Sequence, residues 1–439
     1  MSHYSAILTC LADRLPLVPE LRQHGDETDV EEHPDDKADE TGGLWLLDEE
    51  HHGQGAEDEE NCGLVQQSPP WDRAVWVPSQ VDLLLFVCRA LPCAHVRVGI
   101  LTGGGDCPGL NAVIRAIVRK GELNYGDELI GFLDAWDGVR ERRTMPLDVR
   151  SLRGMLPKGG TLLGTRRGSP YDDPGGPEQV AATFREMGID ALVVVGGNGS
   201  LTVACKLFHD FDLPIVGVPK TIDNDIVGTD MTFGFTTAVQ IATDAIDRLH
   251  TTAESHDRVM IVEVMGRHSG WIATYAGIAG GATAILIPEE PFDIDNICEL
   301  LHRRHERGRY ASIVVVAEGA EPREDTMPTR EKIYDRFGHV RLGGIADTIA
   351  HAIEDRTGLE TRVVLLGHVQ RGGTPSAYDR VLSTRYGIAA IDAVHNGEWG
   401  KMAVLHGTDV TMIPLDETVG KTRYVDLHLY HDVAEVFFG

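Results

Sequence analysis

Short apolar runs alternate with amphipathic stretches from Val96 to the end of the chain. The runs are rich in β-branched residues, as buried parallel strands are, and the stretches between them repeat apolar residues at helical spacing. This alternation is typical of βαβ units, in which helices cover both faces of a sheet. Because it restarts after about Gly234, we expect an α/β protein with two Rossmann-like lobes, each an αβα sandwich around a mainly parallel sheet.

The individual elements can be placed from the same pattern. The predicted strands are Val96–Leu101, Leu129–Leu133, Ala191–Val195, Ile215–Val218, Val259–Val264, Ala284–Ile287, Ile313–Val316 and Arg362–Leu366. The predicted helices are Leu110–Arg119, Pro177–Met187, Leu201–Phe208, Thr236–Thr252, Ile294–Glu306, Gly344–Glu354 and Tyr378–Val394.

The first 95 residues differ from the rest of the chain. They carry 20 acidic and 5 basic side chains, and acidic clusters fill Gly25–Glu60 with almost no apolar periodicity. Such a composition buries too little apolar surface to offset the entropy cost of ordering, so we expect disorder here. The segment is either an inert solvated extension or an acidic interaction tail. The abrupt change at Val96 also raises the hypothesis that the natural start lies there and that residues 1–95 are upstream sequence.

Charge and hydropathy exclude several classes of partner. The chain has 439 residues and a formal charge of −28, which repels nucleic-acid phosphates and anionic membrane surfaces. Its longest apolar run, Leu83–Val87, is far shorter than the ~20 residues that span a bilayer, and its first 25 residues lack the pattern of a secretory signal. We therefore expect a cytoplasmic protein. Its seven cysteines, which match no zinc or redox spacing, should be reduced thiols.

Three polar loops follow predicted strands. Thr102–Asn111 and Gly196–Ser200 each place glycines before a helix, where backbone N–H groups can approach a phosphate. Pro219–Asp225 sets Asp223 and Asp225 beside a lysine and a hydroxyl. Any one loop could be only a tight connection, or its aspartates only helix caps. Because ligands bind at the carboxyl edge of an open α/β sheet, the three loops together predict a polyphosphate site.

Five motifs resemble those of the phosphofructokinase family and occur in that family's order. They are Gly104–Asn111, Lys158–Arg167, Pro219–Asp225, Glu263–Arg267 and Leu366–Gly373. The resemblance covers Val96–Gly439, which is 344 residues or about one family subunit. The segment between Glu318 and Arg362 and the ending Glu435–Gly439 look most like the actinobacterial branch. Lipid and NAD kinases share a similar glycine loop but lack the last two motifs.

The resemblance implies transfer of a phosphoryl group from ATP, with Mg²⁺, to the 1-hydroxyl of fructose 6-phosphate. It makes Asp223 the base that accepts the hydroxyl proton, with Thr221 and Arg167 assisting, and it places magnesium at Asn198 and Asp225. The residues expected to hold the donor are Gly105, Arg167, Gly199, Ser200 and Lys220. Those expected to hold the sugar phosphate are Thr221, Asp223, Asp225, Arg258, Met265, Gly266, Arg267, Glu318, Arg362, His368 and Arg371.

The resemblance also implies an assembly and a division of labour between the lobes. Arg258 and Arg362 would reach the 6-phosphate in a neighbouring subunit, which requires a homodimer or homotetramer with shared active sites. Residues 96–234 with about 370–420 would bind the donor, and 235–369 with about 421–439 would bind the sugar phosphate. The bacterial effector site is only partly matched, by Arg115 and Arg119, and His250 replaces an expected arginine.

Two positions leave alternatives open. Asn198 stands where the family usually has an acid that helps to hold magnesium. The chain is therefore either an active enzyme with a raised magnesium requirement, one in which the amide substitutes with little loss, or a catalytically weak regulatory paralogue. Pyrophosphate-using relatives carry an aspartate at the position of Gly199 and a lysine at that of Lys220. This chain has the glycine and the lysine, so we predict ATP as donor, with pyrophosphate as the alternative.

Overall fold

The computed structural model describes residues 95–327 and 343–438. Predictions about the acidic extension up to residue 94, including the upstream start, lie outside the described residues. So does part of the 318–362 segment that carried the branch assignment. Among the described residues, no helix is long and apolar enough to cross a membrane.

The described strands and helices follow one another as βαβ units. The strands are β1 (Arg97–Gly103), β2 (Glu128–Phe132), β3 (Thr144–Leu147), β4 (Ala191–Gly196), β5 (Ile215–Thr221), β6 (Phe233–Gly234), β7 (Val259–Val264), β8 (Ala284–Leu286), β9 (Ser312–Ala317), β10 (Thr361–Leu365), β11 (Lys401–His406) and β12 (Asp409–Pro414). The main helices are α1 (Leu110–Lys120), α2 (Trp136–Glu141), α3 (Gly176–Met187), α4 (Asn198–Phe211), α5 (Phe235–His256), α6 (Trp271–Ala279), α7 (Ile294–Glu306), α8 (Ile345–Thr357) and α9 (Ala377–His395).

The larger sheet has the strand order β12-β11-β5-β4-β1-β2-β3, with β6 paired to β5. Its central strands run parallel, and antiparallel partners, β3 and β12, close its two edges. The three strands that precede the polar loops, β1, β4 and β5, are neighbours at its centre. Their loops therefore emerge side by side at one edge.

The smaller sheet has the order β10-β7-β9-β8 and is parallel throughout. Its central strands β7 and β9 are fully buried, as expected for strands covered by helices on both faces. Helix α5 leads from the larger sheet to the smaller one, and its apolar residues join a core that includes residues of both sheets. Two α/β lobes with mainly parallel sheets confirm the predicted fold class.

The boundaries of the two lobes along the chain stay a prediction, but the sheets show where late segments pack. Strands β11 and β12 follow α9 and complete the larger sheet beside β5. Helix α9 packs against α1, and its buried face includes Tyr386. Residues far apart in the chain thus support the strands that carry the polar loops.

Candidate active site

The ends of β1 and β4 approach each other closely at the loop edge. Gly103 pairs with Gly196 in the parallel register, and the side chain of Ser200, in the first turn of α4, packs over both. A Cβ on either glycine would overlap Ser200. The glycines at the two strand ends therefore allow the first turn of α4 to lie next to the first glycine loop. The first N–H groups of a helix have no carbonyl partner within the helix and can bind an anion there.

Lys220 supplies a positive charge beneath these loops. Its Nζ donates to the carbonyl oxygen of Gly105 at 2.5 Å, and only 4% of the residue is exposed. Burial lowers the pKa of this ammonium group. A Cβ placed on Gly104 would lie 3.3 Å from the same nitrogen and one on Gly197 would lie 3.9 Å away. One buried cation thus faces both glycine loops, as a polyphosphate site requires.

The loop Ile222–Asp225 follows β5 and is named the catalytic loop because the sequence predicts the base there. Hydrogen bonds fix it from several directions. Asn224 adopts a left-handed conformation, φ 52°, and its Oδ1 accepts from the backbone N–H of Thr232 at 2.9 Å. Ser269 Oγ donates to the carbonyl of Asp223 at 3.1 Å. The backbone N–H of Arg423 donates to the carbonyl of Asp225 at 2.8 Å. The two aspartates are therefore held in place before any substrate binds.

The surroundings of Asp223 disfavour the ionised form of its carboxyl group. Within the described part of the chain its Oδ1 is buried and has no hydrogen-bond partner. Burial, and then the charge of Asp225, raise the pKa of this carboxyl to about 7, although Arg371 opposes the shift. A carboxylate with a pKa near neutrality is suited to accept a proton at physiological pH.

Asp225 and Asn198 form the pair that the sequence assigned to magnesium. Asn198 Nδ2 donates to Asp225 Oδ2 at 3.1 Å, so the ends of β5 and α4 are in contact. Burial raises the pKa of the Asp225 carboxyl. A carboxylate and an amide oxygen are ligands that a hard cation accepts, and the pair fits magnesium once the amide turns its oxygen toward the ion.

Arg371 lies against the first glycine loop. Its Nη1 donates to the carbonyl of Asp106 at 3.2 Å, and a Cβ on Gly105 would lie 2.5 Å from the same atom. Its charge also acts on Asp223 and Glu318. The sequence assigned this arginine to the sugar phosphate; the structure places its guanidinium against the first glycine loop, within electrostatic reach of both carboxyls.

The ends of β7 and β9 provide the facing wall. Gly266 has φ 139°, and a Cβ there would lie 2.6 Å from the carbonyl oxygen of Ser269, so only glycine fits. The Glu318 backbone N–H donates to the Val264 carbonyl at 2.9 Å. Burial raises the pKa of Glu318, and the charge of Arg267 opposes that shift. Met265, buried at the end of β7, completes this wall.

Arg258 and Arg362 lie at the other end of the smaller sheet. Arg362 pairs with Met260 in the register, so about five residues of strand, roughly 17 Å, separate its level from Met265. Both arginines form an ion pair with Glu360, which Arg258 Nη2 contacts at 2.8 Å. Within this chain, the two arginines therefore do not lie at the carboxyl edge of the smaller sheet.

Arg167 and His368 occupy exposed positions at the rim. Arg167 follows Arg166, whose carbonyl oxygen accepts from the Gly104 N–H at 3.4 Å, so its loop is joined to the first glycine loop. His368 lies in the short 3-10 segment Gly367–Arg371. Both side chains are on the surface, where a substrate or a second subunit can reach them.

Sequence reasoning missed several residues that shape the site. Arg423 fixes the catalytic loop and stacks over Trp271 at 4.2 Å, yet it belongs to no motif. Gln370 is fully buried and accepts from the Met265 N–H at 3.4 Å. Gln370 lies inside the last motif, Leu366–Gly373, and that position could have identified it as a residue of the site. Glu360 gave no such signal, because an acidic residue just before a strand, two residues from an arginine, is common.

Comparisons with known proteins agree on one family. The model of the family described as Phosphofructokinase matches residues 97–394. The pyrophosphate–fructose 6-phosphate 1-phosphotransferase of Streptomyces coelicolor is 54% identical over 344 residues, 78% of this chain and 100% of the relative. The ATP-dependent 6-phosphofructokinase of Mycobacterium tuberculosis is 53% identical over 346 residues, again 78% and 100%.

Solved structures show the same fold. Phosphofructokinase from Saccharomyces cerevisiae superposes with a TM-score of 0.66 at 34% identity, over 74% of this chain and 45% of that chain. This chain thus spans less than half the length of the yeast protein. A pyrophosphate-dependent phosphofructokinase from Marinobacter aquaeolei has the same TM-score at 22% identity, over 76% of this chain and 86% of that one, which supports the fold alone.

Proposed function

The chain belongs to the phosphofructokinase family, and from that premise we propose that it transfers the terminal phosphoryl group of ATP to the 1-hydroxyl of fructose 6-phosphate. Its membership confirms the resemblance read from the five motifs and makes the protein a phosphotransferase. The observation that carries the proposal is Asp223, whose Oδ1 is buried and has no hydrogen-bond partner within the described residues. Its carboxyl lies within electrostatic reach of Lys220, beside the glycine loops, and of Glu318, at the end of β9.

In the proposed reaction Asp223 accepts the proton of the 1-hydroxyl as that oxygen attacks phosphorus. The loose transition state demands positioning and charge neutralisation more than strong base catalysis. Lys220 and the N–H groups of the glycine loops hold the donor phosphates, and Arg371 and Arg167 face the transferred group. Asp225 and Asn198 would hold magnesium, which neutralises phosphate charge when bound.

The choice of ATP rests on Gly199. Apart from its chain neighbours and the backbone of its own helix, no heavy atom of the described residues lies within 4 Å of a Cβ built on this residue. The first turn of α4 therefore leaves open space where a nucleotide would continue beyond its outer phosphates. Lys220 keeps pyrophosphate open as the alternative donor, because a buried ammonium group can bind the phosphates of either molecule. The relatives' names include both donors at nearly equal identity, so identity does not decide between them.

We also propose that active sites are shared between subunits of a homodimer or homotetramer. Arg258 and Arg362 lie far from the site of their own subunit, and Glu360 holds their guanidinium groups together at the surface. Leu365 and Val369, on either side of His368, are 54% and 61% exposed. Exposed apolar side chains beside His368, a residue predicted to bind the sugar phosphate, support the proposal that a second subunit covers them.

Steady-state kinetics with each donor tests the assignment. The unmodified chain should give a higher kcat/KM with Mg-ATP than with Mg-pyrophosphate. Gly199→Asp should abolish ATP use by adding bulk and negative charge, whereas Gly199→Ala, which adds a methyl group into open space, should largely retain it. Pyrophosphate exceeding ATP in the unmodified chain would overturn the donor; no turnover with either would overturn the function.

A further inference from the structure

A mixed cluster of Cys205, His209 and Asp416 lies on the second half of α4, beginning two turns beyond Asn198. Cys205 and His209 are four residues apart and therefore share one side of the helix. Asp416 approaches from the 3-10 turn Leu415–Glu417, which follows β12. The thiol, imidazole and carboxylate atoms that could bind a metal all lie within 4.8 Å of one another.

The separations are close to those of a tetrahedral metal site. Cys205 Sγ lies 3.3 Å from Asp416 Oδ1, and His209 Nε2 lies 2.9 Å from the same oxygen. Metal–ligand bonds of about 2.3 Å to sulfur and 2.1 Å to nitrogen or oxygen, at tetrahedral angles, require ligand separations of roughly 3.4–3.6 Å. Small side-chain rotations are enough to open the cluster around an ion.

We propose that Cys205, His209 and Asp416 bind a divalent cation of the zinc class, with water as the fourth ligand. Thiolate and imidazole ligands favour zinc over magnesium, so this site would not compete with the magnesium expected at Asp225. It is also separate: the seven residues from Asn198 to Cys205 span about 10 Å of helix. His209 and Asp416 have half-exposed side chains, through which an ion enters from solvent.

Binding requires the thiol to lose its proton to solvent as the metal–sulfur bond forms. Metal affinity should therefore fall as the pH is lowered, and binding should release protons.

The bound ion would join α4 to the turn Leu415–Glu417. The first turn of α4 contains the end of the second glycine loop, Gly196–Ser200. The chain beyond the turn Leu415–Glu417 leads to Arg423, which fixes the catalytic loop. A cation here would therefore stabilise the donor side of the active site without touching a substrate, by the free energy of its binding to the folded protein.

Cobalt(II) titration of the full chain, freed of metal and kept reduced, tests the proposal. We expect one equivalent of Co²⁺ to produce tetrahedral visible absorption and a sulfur-to-cobalt charge-transfer band, both lost on adding Zn²⁺. Cys205→Ser should remove the charge-transfer band and weaken binding by about 100-fold or more, because even outer partners of metal sites are worth 10–100-fold. His209→Asn should weaken binding to a similar degree.

Cys298→Ser is the matched control, because Cys298 is a buried helical cysteine that belongs to no such group in the described residues. This variant should retain the band and the affinity. The absence of a charge-transfer band in the unmodified chain would overturn the proposal. Retention of the band by Cys205→Ser would also overturn it, by placing the cobalt on another cysteine. Activity with magnesium and fructose 6-phosphate should be unchanged in Cys205→Ser and reports that the variant is folded.

Discussion

Replacing Asp223 by Asn should abolish activity and yet stabilise the free protein. Among residues 95–327 and 343–438, Asp223 Oδ1 is buried without a hydrogen-bond partner, and the pKa of the carboxyl rises from 3.8 to about 7 because of burial and the nearby Asp225. The folded protein thus holds this proton more tightly than the unfolded chain does. Ionised Asp223 consequently destabilises the fold above pH 7, and the penalty disappears as the pH falls toward 4.

The magnitude follows from the shift. About three pKa units, at 1.36 kcal/mol each, amount to roughly 4 kcal/mol at pH 8, an upper value because the residue is partly exposed. At about 2.1 cal/mol/K per residue, the roughly 330 described residues have an unfolding entropy near 0.7 kcal/mol/K. Asp223→Asn should therefore raise Tm by up to about 6 °C at pH 8 and by almost nothing near pH 4.

Scanning calorimetry of both proteins, without substrates or magnesium, measures this difference across the pH range. Asp148→Asn is a control of opposite sign, because hydrogen bonds from Ser151 lower the pKa of the exposed Asp148. Asp148→Asn should be less stable than the unmodified chain at neutral pH. The difference in Tm should disappear on acidification, because the unmodified chain loses the contribution of ionised Asp148 as that carboxylate is protonated. A gain in Tm for Asp223→Asn that is absent at pH 8, or equal at all pH values, would refute the reasoning.

The kinetic half of the same prediction concerns the transition state. Asp223→Asn should lower kcat by several decades and leave the affinity for fructose 6-phosphate nearly unchanged, since a base acts only as the proton moves. The unmodified enzyme should gain kcat/KM with rising pH, with a midpoint near 7. A loss of kcat below tenfold, about 1.4 kcal/mol, would reject Asp223 as the base.

Three further predictions concern the proposed magnesium ligands and the two distant arginines. Asn198→Asp replaces the amide that donates to Asp225 by a second carboxylate, so it should raise kcat/KM at limiting magnesium; identical magnesium curves for both proteins would show that the amide substitutes without loss. Arg258→Ala or Arg362→Ala should raise the KM for fructose 6-phosphate about tenfold or more, because each removes a charged phosphate contact; an unchanged KM would remove both from the sugar site. Mixing Arg258→Ala with Asp223→Asn under subunit exchange should restore activity, and its failure to do so would argue against shared sites.

The sequence predicted the arrangement of the donor side because parallel strands place their carboxyl ends at one edge. Once three buried runs were recognised as strands, the loops after β1, β4 and β5 had to meet if those strands were neighbours, and they are. The order of five motifs supplied the family, which the comparisons confirm. Hydrophobic periodicity and motif order can both be read from the linear sequence, so neither requires knowledge of the tertiary structure.

Other elements gave no such signal. Helix α6 is buried along most of its length and therefore lacks the polar face by which an amphipathic helix is recognised. The β11–β12 hairpin turns at Gly407, φ 57°, and is an edge addition whose place depends on pairing with β5. The position of Arg371 against the first glycine loop and the raised pKa of Asp223 depend on residues distant in sequence, which only the folded structure brings together.

Phosphorus NMR of a single competition reaction tests the central claim most directly. The purified 439-residue chain is given fructose 6-phosphate, magnesium, and equal concentrations of ATP and pyrophosphate. We predict that the ATP signals convert to those of ADP while a second sugar phosphomonoester, on carbon 1, appears and pyrophosphate persists. Consumption of pyrophosphate with ATP intact would contradict the donor assignment, and the absence of a carbon-1 phosphate would contradict the proposed reaction itself.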